Sequence, residues 1–238
     1  MRVQQGAIMA AGRATRMFGN VAGSKALYKV RGKALIDYSI ESFIDVGVIR
    51  LIVLVRPDDS SLREHLAERW SDTLDLEIID RSPLGTLDAV RTIAASSDEN
   101  TIVSTCDVVP EPGAIGALVA GATTDAILTL ALTTVNVDAS PIFVDVDNEI
   151  APTIATSLRK GPPVSRHIFG HVRVASVGLR DVLRDHRFDG LERDTLFMSR
   201  LIETHPGSVR VVPCGEMIDV DAHSDRHAAE LLIDKWQR

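Results

Sequence analysis

The chain has 238 residues, 45% of them hydrophobic and 25% charged, with a net charge of −7. That is an ordinary globular composition, and the length suffices to bury a substantial core. The acidic balance and the 4% aromatic content argue against a broad nucleic-acid face or a base-stacking platform, though not against a local basic pocket for one nucleotide. Residues 6–10 read as a short buried strand that stops at small residues, followed by a glycine-containing loop. Residues 34–46 place Leu35, Ile36, Ser39, Ile40 and Phe43 at helical spacing, with Gly47 as the stop. Leu51 to Val55 is a continuous apolar run, as expected of a parallel strand covered on both faces. Ser60 to Trp70 reads as a helix capped by Ser60 or Ser61, with Glu64 completing a capping box from Ser61. A strand over 76–79, a helix over 86–95 and a strand over 101–105 follow.

This alternation predicts a doubly wound, mostly parallel α/β sheet. Residues 126–134 and 141–146 are β-like. The pattern breaks between Glu149 and Phe169, around Gly161-Pro162-Pro163, and predicts an irregular or hairpin insertion. Strands over 172–177 and 209–212, helices over 179–183 and 193–204, an extended segment over 217–221 and a terminal helix over 223–236 complete the reading. No repeat or long linker divides the chain, so one domain over 1–238 is expected, with a first half to about 125 and a second from about 126. Cys106 and Cys214 form no CxxC pair and are expected to be buried thiols. No stretch reaches the roughly 18 apolar residues of a membrane span, and the N-terminus lacks the apolar core of a signal peptide. A soluble cytoplasmic protein is expected.

Ligands of open α/β sheets bind beyond the carboxyl ends of the strands. Three features fall at such ends: the loop from Gly12 to Arg16, the pair Gly85-Thr86, and Asp107. Ala10, Ala11 and Gly12 have no bulky side chain, so backbone N–H groups can approach phosphate oxygens there. Arg16 and Lys25 add full positive charges. Gly12-Arg-Ala-Thr-Arg16 is neither a dinucleotide fingerprint nor a Walker A loop, and alone reads equally as a strand-to-helix turn. Asp107 suits a Mg²⁺ ligand or a turn aspartate. Asp219 and Asp221 share one face of an extended segment and could join Asp107 on a metal or cap the last helix. Asp145-Val-Asp147 has the same spacing but reads as a turn before Asn148. The seven histidines are not expected to form a zinc site; His167 and His171 could line a second substrate's pocket.

Ala10-Ala-Gly-Arg-Ala-Thr-Arg-Met17, Ser24-Lys-Ala-Leu27 and Gly32-Lys-Ala-Leu-Ile36 together resemble the opening of the GT-A-like nucleotidyltransferases. Leu84-Gly-Thr-Leu-Asp-Ala-Val90, Cys106-Asp107 and Met217-Ile-Asp-Val-Asp221 with Asp225 resemble later motifs of that family, in the same order. Ala14, Ser24 and Ala222-His-Ser224 depart from its pattern. The resemblance implies a GT-A-type sheet with a small acceptor-binding insertion. It also implies Mg²⁺-dependent transfer of a nucleoside monophosphate from an NTP to a phosphorylated small molecule, with pyrophosphate leaving. By that resemblance Ala10, Ala11, Gly12 and Arg13, with Gly85 and Thr86, would hold the nucleotide. Arg16 would neutralise the pyrophosphate, Lys25 would sit at the α-phosphate, and Asp107 and Asp219, or Asp221, would hold Mg²⁺. Residues 149–171, with Lys160, Arg166 and His171, would face the acceptor.

A sugar-1-phosphate or phospho-alcohol acceptor is favoured over the molybdenum-cofactor branch, because the loop between Arg16 and Lys25 is long. A GT-A glycosyltransferase would leave Arg16 and Lys25 without a pyrophosphate to meet. A non-catalytic nucleotide sensor would explain the departures at Ala14 and 222–224. No nucleic-acid or membrane partner is expected, and the oligomeric state stays open, a homodimer included.

Overall fold

The computed structural model describes residues 2–12, 23–136, 141–160 and 166–238. Arg13 and Arg16, both expected at the nucleotide, lie outside the described residues.

The chain opens with strand β1 (Gln5–Met9). After the first loop come a short 3-10 turn (Lys25–Leu27) and a two-residue hairpin, β2 (Lys29–Val30) and β3 (Lys33–Ala34). These lead into helix α1 (Leu35–Asp45) and strand β4 (Arg50–Val55). Helix α2 (Ser60–Trp70), β5 (Asp75–Asp80), α3 (Thr86–Ser96) and β6 (Thr101–Thr105) continue the alternation expected from the periodicity. The cap of α2 differs from expectation. Asp59, not Ser60 or Ser61, is the N-cap, and its carboxylate accepts from the Leu62 N–H at 3.1 Å. A carboxylate one residue earlier reaches the same free N–H groups and adds a charge suited to the helix dipole.

Strand β7 (Val108–Pro110), helix α4 (Ala114–Gly121), β8 (Leu128–Thr133), β9 (Phe143–Val146), β10 (Ala155–Arg159) and β11 (Ile168–Ala175) follow. Helix α5 (Leu179–Val182), α6 (Asp194–Thr204), β12 (Val209–Pro213), β13 (Met217–Asp219) and α7 (His223–Trp236) close the chain. The irregular or hairpin insertion expected between Glu149 and Phe169 contains a hairpin arm, since β10 pairs antiparallel with β9; Gly161-Pro162-Pro163 lies outside the described residues.

Strands β5, β4, β1 and β6 lie side by side and parallel. Strand β11 then runs antiparallel to both β6 and β8, and β12 is parallel to β8. The sheet is therefore mixed and mostly parallel, with helices on both sides. Strand β4 is apolar from Leu51 to Val55 because successive side chains enter opposite cores. Ile8, Leu51, Val53 and Ile102 pack with α1, α2 and α4 on one face; Ala7, Ile52 and Val103 pack with α3 and α6 on the other. A smaller apolar cluster docks α7 on Val30, Leu35, Val109 and Ile218. No described helix is long and apolar enough to cross a membrane.

Candidate active site

The carboxyl ends of β1, β5 and β6 face one edge of the sheet, and a cleft of about 570 Å³ opens there. Its lining brings together Ala11, Gly12, Lys25, Gly85, Asp107 and Asp221, with Thr86 at the start of α3. Residues up to 210 positions apart in the chain thus meet at the edge that the strand order singles out. Ala10 lies buried just beneath, its N–H bonded to the Leu54 carbonyl at 2.9 Å, which ties the first loop to β4.

Asp107 sits in the tight turn between β6 and β7. Strand β13 pairs antiparallel with β7, placing Asp219 opposite Val108, and the Val220 N–H donates to the Asp107 carbonyl at 3.1 Å. Two residues further on, Asp221 is held by the cap of α7, because the Asp225 carboxylate accepts from the Asp221 and Ala222 N–H groups at 2.9 and 2.8 Å. Asp225, rather than Asp221 or Ser224, anchors that helix start, which leaves the Asp221 carboxylate to face the cleft.

One oxygen from each of Asp107, Asp219 and Asp221 lies within 4.8 Å of the others. Asp107 Oδ1 and Asp219 Oδ1 are buried without a hydrogen-bond partner among the described residues. Buried carboxylate oxygens without donors are costly unless a cation meets them. An all-oxygen set suits a hard divalent cation, so the residues fit a metal.

Lys25 lies among these carboxylates, its Nζ paired with both Asp107 Oδ2 and Asp221 Oδ1. Burial alone would push the Lys25 ammonium down, but the charges of Asp107 and Asp219 outweigh it and hold Lys25 well above its usual range. Burial likewise tends to raise Asp107, yet the Lys25 charge prevails and holds its carboxyl at about 2. Asp219 goes the other way: burial, then the neighbouring Asp107 charge, push it well above the ordinary carboxylate range. Cys106, buried beside Asp107, is pushed up by burial, which suits an inert thiol better than a nucleophile.

Arg56 also lines the cleft, a cation that sequence reasoning passed over. The signal was available: it follows the carboxyl end of β4, the position that singled out Asp107. Its guanidinium is braced by Asp58 at 2.7 Å.

On the far side of Asp219, a small hollow is bounded by Thr133, Phe169, His171 and Met217. His171 has a left-handed backbone (φ +58°) at the point where β11 shifts register against β8. Such a bulge re-aims a side chain, and here it turns His171 to the hollow beside Asp219. Gly170 permits the close packing, since a Cβ there would stand 2.7 Å from Met217 Sδ on β13. His167 instead is buried and meets Glu149, 3.5 Å from its carboxylate. Lys160 is exposed, and Arg166 donates to the Glu149 carbonyl at 2.8 Å. Asp145 and Asp147 bind inside their own hairpin. Asp145 pairs with Arg159 and accepts from Ser157, while Asp147 accepts from the Thr153 and Ile154 N–H groups at 2.9 and 3.0 Å. These bonds tie up both carboxylates within the hairpin, in keeping with the turn expected before Asn148, and leave Asp219 and Asp221 as the pair gathered with Asp107.

Against solved structures, the chain is similar to the inositol-1-phosphate CTP transferase from T. maritima, with a TM-score of 0.82 and 16% identity, covering 100% of this chain and 98% of that one. It is also similar to UDP-glucose pyrophosphorylase from Acinetobacter baumanii, with a TM-score of 0.76 and 15% identity, covering 97% and 93%. At such identities the likeness shows a shared fold. No curated protein matches the sequence. The sequence model of the MobA-like NTP transferase domain matches residues 6–193, which include the first loop, Lys25, Gly85 and Asp107. The chain belongs to the MobA-like NTP transferase domain family and is a nucleotidyltransferase.

Proposed function

We propose that this cleft transfers a nucleoside monophosphate from an NTP to a sugar-1-phosphate or phospho-alcohol, in a single-domain enzyme of the cytoplasm. The observation that carries the reading is the meeting of Lys25 with Asp107, Asp219 and Asp221 at the mouth of a glycine-lined cleft. The acceptor class is supported by the shared fold with proteins named for inositol-1-phosphate and UDP-glucose chemistry.

In the reaction a phosphate oxygen of the acceptor attacks the α-phosphorus of the NTP in line. A new P–O bond forms, the bond to the β-phosphate bridge breaks, and pyrophosphate leaves with the electron pair. Such a displacement depends on positioning and charge neutralisation more than on an acid or base. The backbone at Ala10, Ala11, Gly12 and Arg13, with Gly85 and Thr86, holds the nucleotide close, since no large side chain intervenes. Lys25 supplies a fixed positive charge to the α-phosphate as charge builds there, and Arg16 serves the leaving pyrophosphate. Asp107, with Asp219 and Asp221, would hold Mg²⁺, which when bound neutralises phosphate charge and orients the triphosphate. His171 lines the acceptor side.

Pyrophosphate release by Lys25→Ala tests the assignment. Loss of one such charge is expected to lower turnover roughly 10²- to 10³-fold with the melting transition still cooperative. A folded variant at wild-type rate would take lysine out of the mechanism.

A further inference from the structure

Lys25 engages two of the three carboxylates that could hold a metal, through Asp107 Oδ2 and Asp221 Oδ1. Its ammonium bonds one oxygen of Asp107 and one of Asp221 at once, and its side chain is only 11% exposed. A Mg²⁺ ion binds oxygen at about 2.0–2.1 Å in a strict octahedron. An ammonium bridging Asp107 and Asp221 therefore competes with a divalent cation for their oxygens and repels it by charge. The lysine stem is long and flexible, with rotamers that let the head group move while its base stays packed. The cleft that Lys25 lines also receives Ala11, Gly12 and Gly85, where a triphosphate would lie.

We propose that Lys25 is a placeholder cation: it occupies the Asp107–Asp221 pair when no metal is bound, and metal entry moves it off toward the phosphates. This rests on the reading of the three carboxylates as a metal site. In the empty protein Lys25 offsets repulsion among Asp107, Asp219 and Asp221 and keeps them gathered. A metal arriving alone must displace it and so binds weakly. Triphosphate offers the displaced ammonium a new anionic partner, so metal and nucleotide each strengthen the other's binding, as linkage requires. The empty site is thereby prevented from holding free metal firmly before substrate arrives.

The test uses the full chain without nucleotide, and metal alone as the probe. Mn²⁺ binding, followed by electron paramagnetic resonance, is compared between wild type and Lys25→Met. Removing the competitor is expected to tighten Mn²⁺ binding roughly tenfold or more; equal or weaker binding overturns the proposal. Lys25→Met could lose its fold through carboxylate repulsion, so wild-type protein carries the second measurement. With ¹⁵N-labelled lysine, the ζ-ammonium signal of Lys25 is followed during a Mg²⁺ titration. A saturable shift, or loss of the signal to solvent exchange, is the expected result. A signal unmoved at saturating Mg²⁺ overturns the placeholder even if Lys25→Met binds metal more tightly, because that gain would then be a field effect alone. Neither readout needs turnover, so a failure of the proposed transfer reaction remains distinguishable from a failure of this inference.

Discussion

Gly85 and Glu192 touch at the rim of the cleft. A Cβ on Gly85 would stand 2.5 Å from the Glu192 carbonyl oxygen, and the Leu87 N–H donates to that same oxygen at 3.0 Å. The Thr86 hydroxyl accepts from the Asp194 N–H at 2.9 Å, so the start of α3 and the start of α6 are laced together. The first turn of α3, which the proposed function sets against the nucleotide, is thus positioned by a segment of the second half of the chain.

Gly85→Ala is therefore expected to cost about 1–3 kcal/mol, the usual range for overpacking, because the obstructing atom is backbone. It should also raise the KM for nucleotide by shifting the loop. Urea denaturation and nucleotide titration check both. Wild-type stability would mean that the Glu192 carbonyl yields freely.

Arg173 and Asp194 form a buried ion pair, the arginine 2% exposed and the aspartate residue 7%. Arg173 Nε and Nη2 have no hydrogen-bond partner among the described residues, so the guanidinium depends on this carboxylate. Asp194→Ala should cost about 3–5 kcal/mol by stranding a buried charge. The double variant Arg173→Met with Asp194→Leu should lose much less. Equal losses in both would show that volume, not charge, is at stake.

Glu216 ties α7 to the turn before β13, accepting from Lys235 Nζ at 2.7 Å and Trp236 Nε1 at 2.9 Å. Those hydrogen bonds hold its carboxyl below the ordinary value of 4.5. A depressed folded value means the stabilisation is fully present above pH 4.5 and fades as pH falls through the lower folded value. The Trp236 indole N–H resonance should accordingly stay constant from pH 7 to about 4.5 and shift below it. Glu216→Ala should show the shifted position already at pH 7. An indole signal constant to pH 3 in both proteins would remove Glu216 as the tie.

Cys214 is buried, and burial pushes its thiol up to about 12. Cys106 is raised by burial as well. Native protein at pH 8 should react slowly with a disulfide reagent and release both thiols at once on unfolding. Fast labelling of a thiol in folded protein would contradict the packing described.

Much of this architecture was legible in the residues because the first half of the sheet alternates plainly. The run from Leu51 to Val55 and the spacing of Leu35, Ile36, Ile40 and Phe43 each have one regular explanation. Direction was not legible: nothing in the pattern of β11 marks it as antiparallel to β6 and β8. Its start at Ile168 was hidden by the bulge at His171, which breaks the alternation. Strand β7 was masked by Pro110, which reads as a turn although it ends the pairing with Met217. At the site, alternation placed Asp219 and Asp221 on one face. Their meeting with Asp107 and Lys25 depends on β13 lying along β7, a pairing across more than 100 residues that local pattern does not encode.

The central claim is that a phosphorylated acceptor takes a nucleoside monophosphate in this cleft. ³¹P NMR of wild-type protein with Mg²⁺, testing CTP, UTP, GTP and ATP against sugar-1-phosphates, phospho-alcohols and molybdopterin, addresses it directly. The account predicts pyrophosphate and a new diphosphate diester appearing together, with a sugar-1-phosphate or phospho-alcohol and only when acceptor is present. Nucleotide bound but unchanged with every acceptor, or pyrophosphate released by hydrolysis without one, would contradict it.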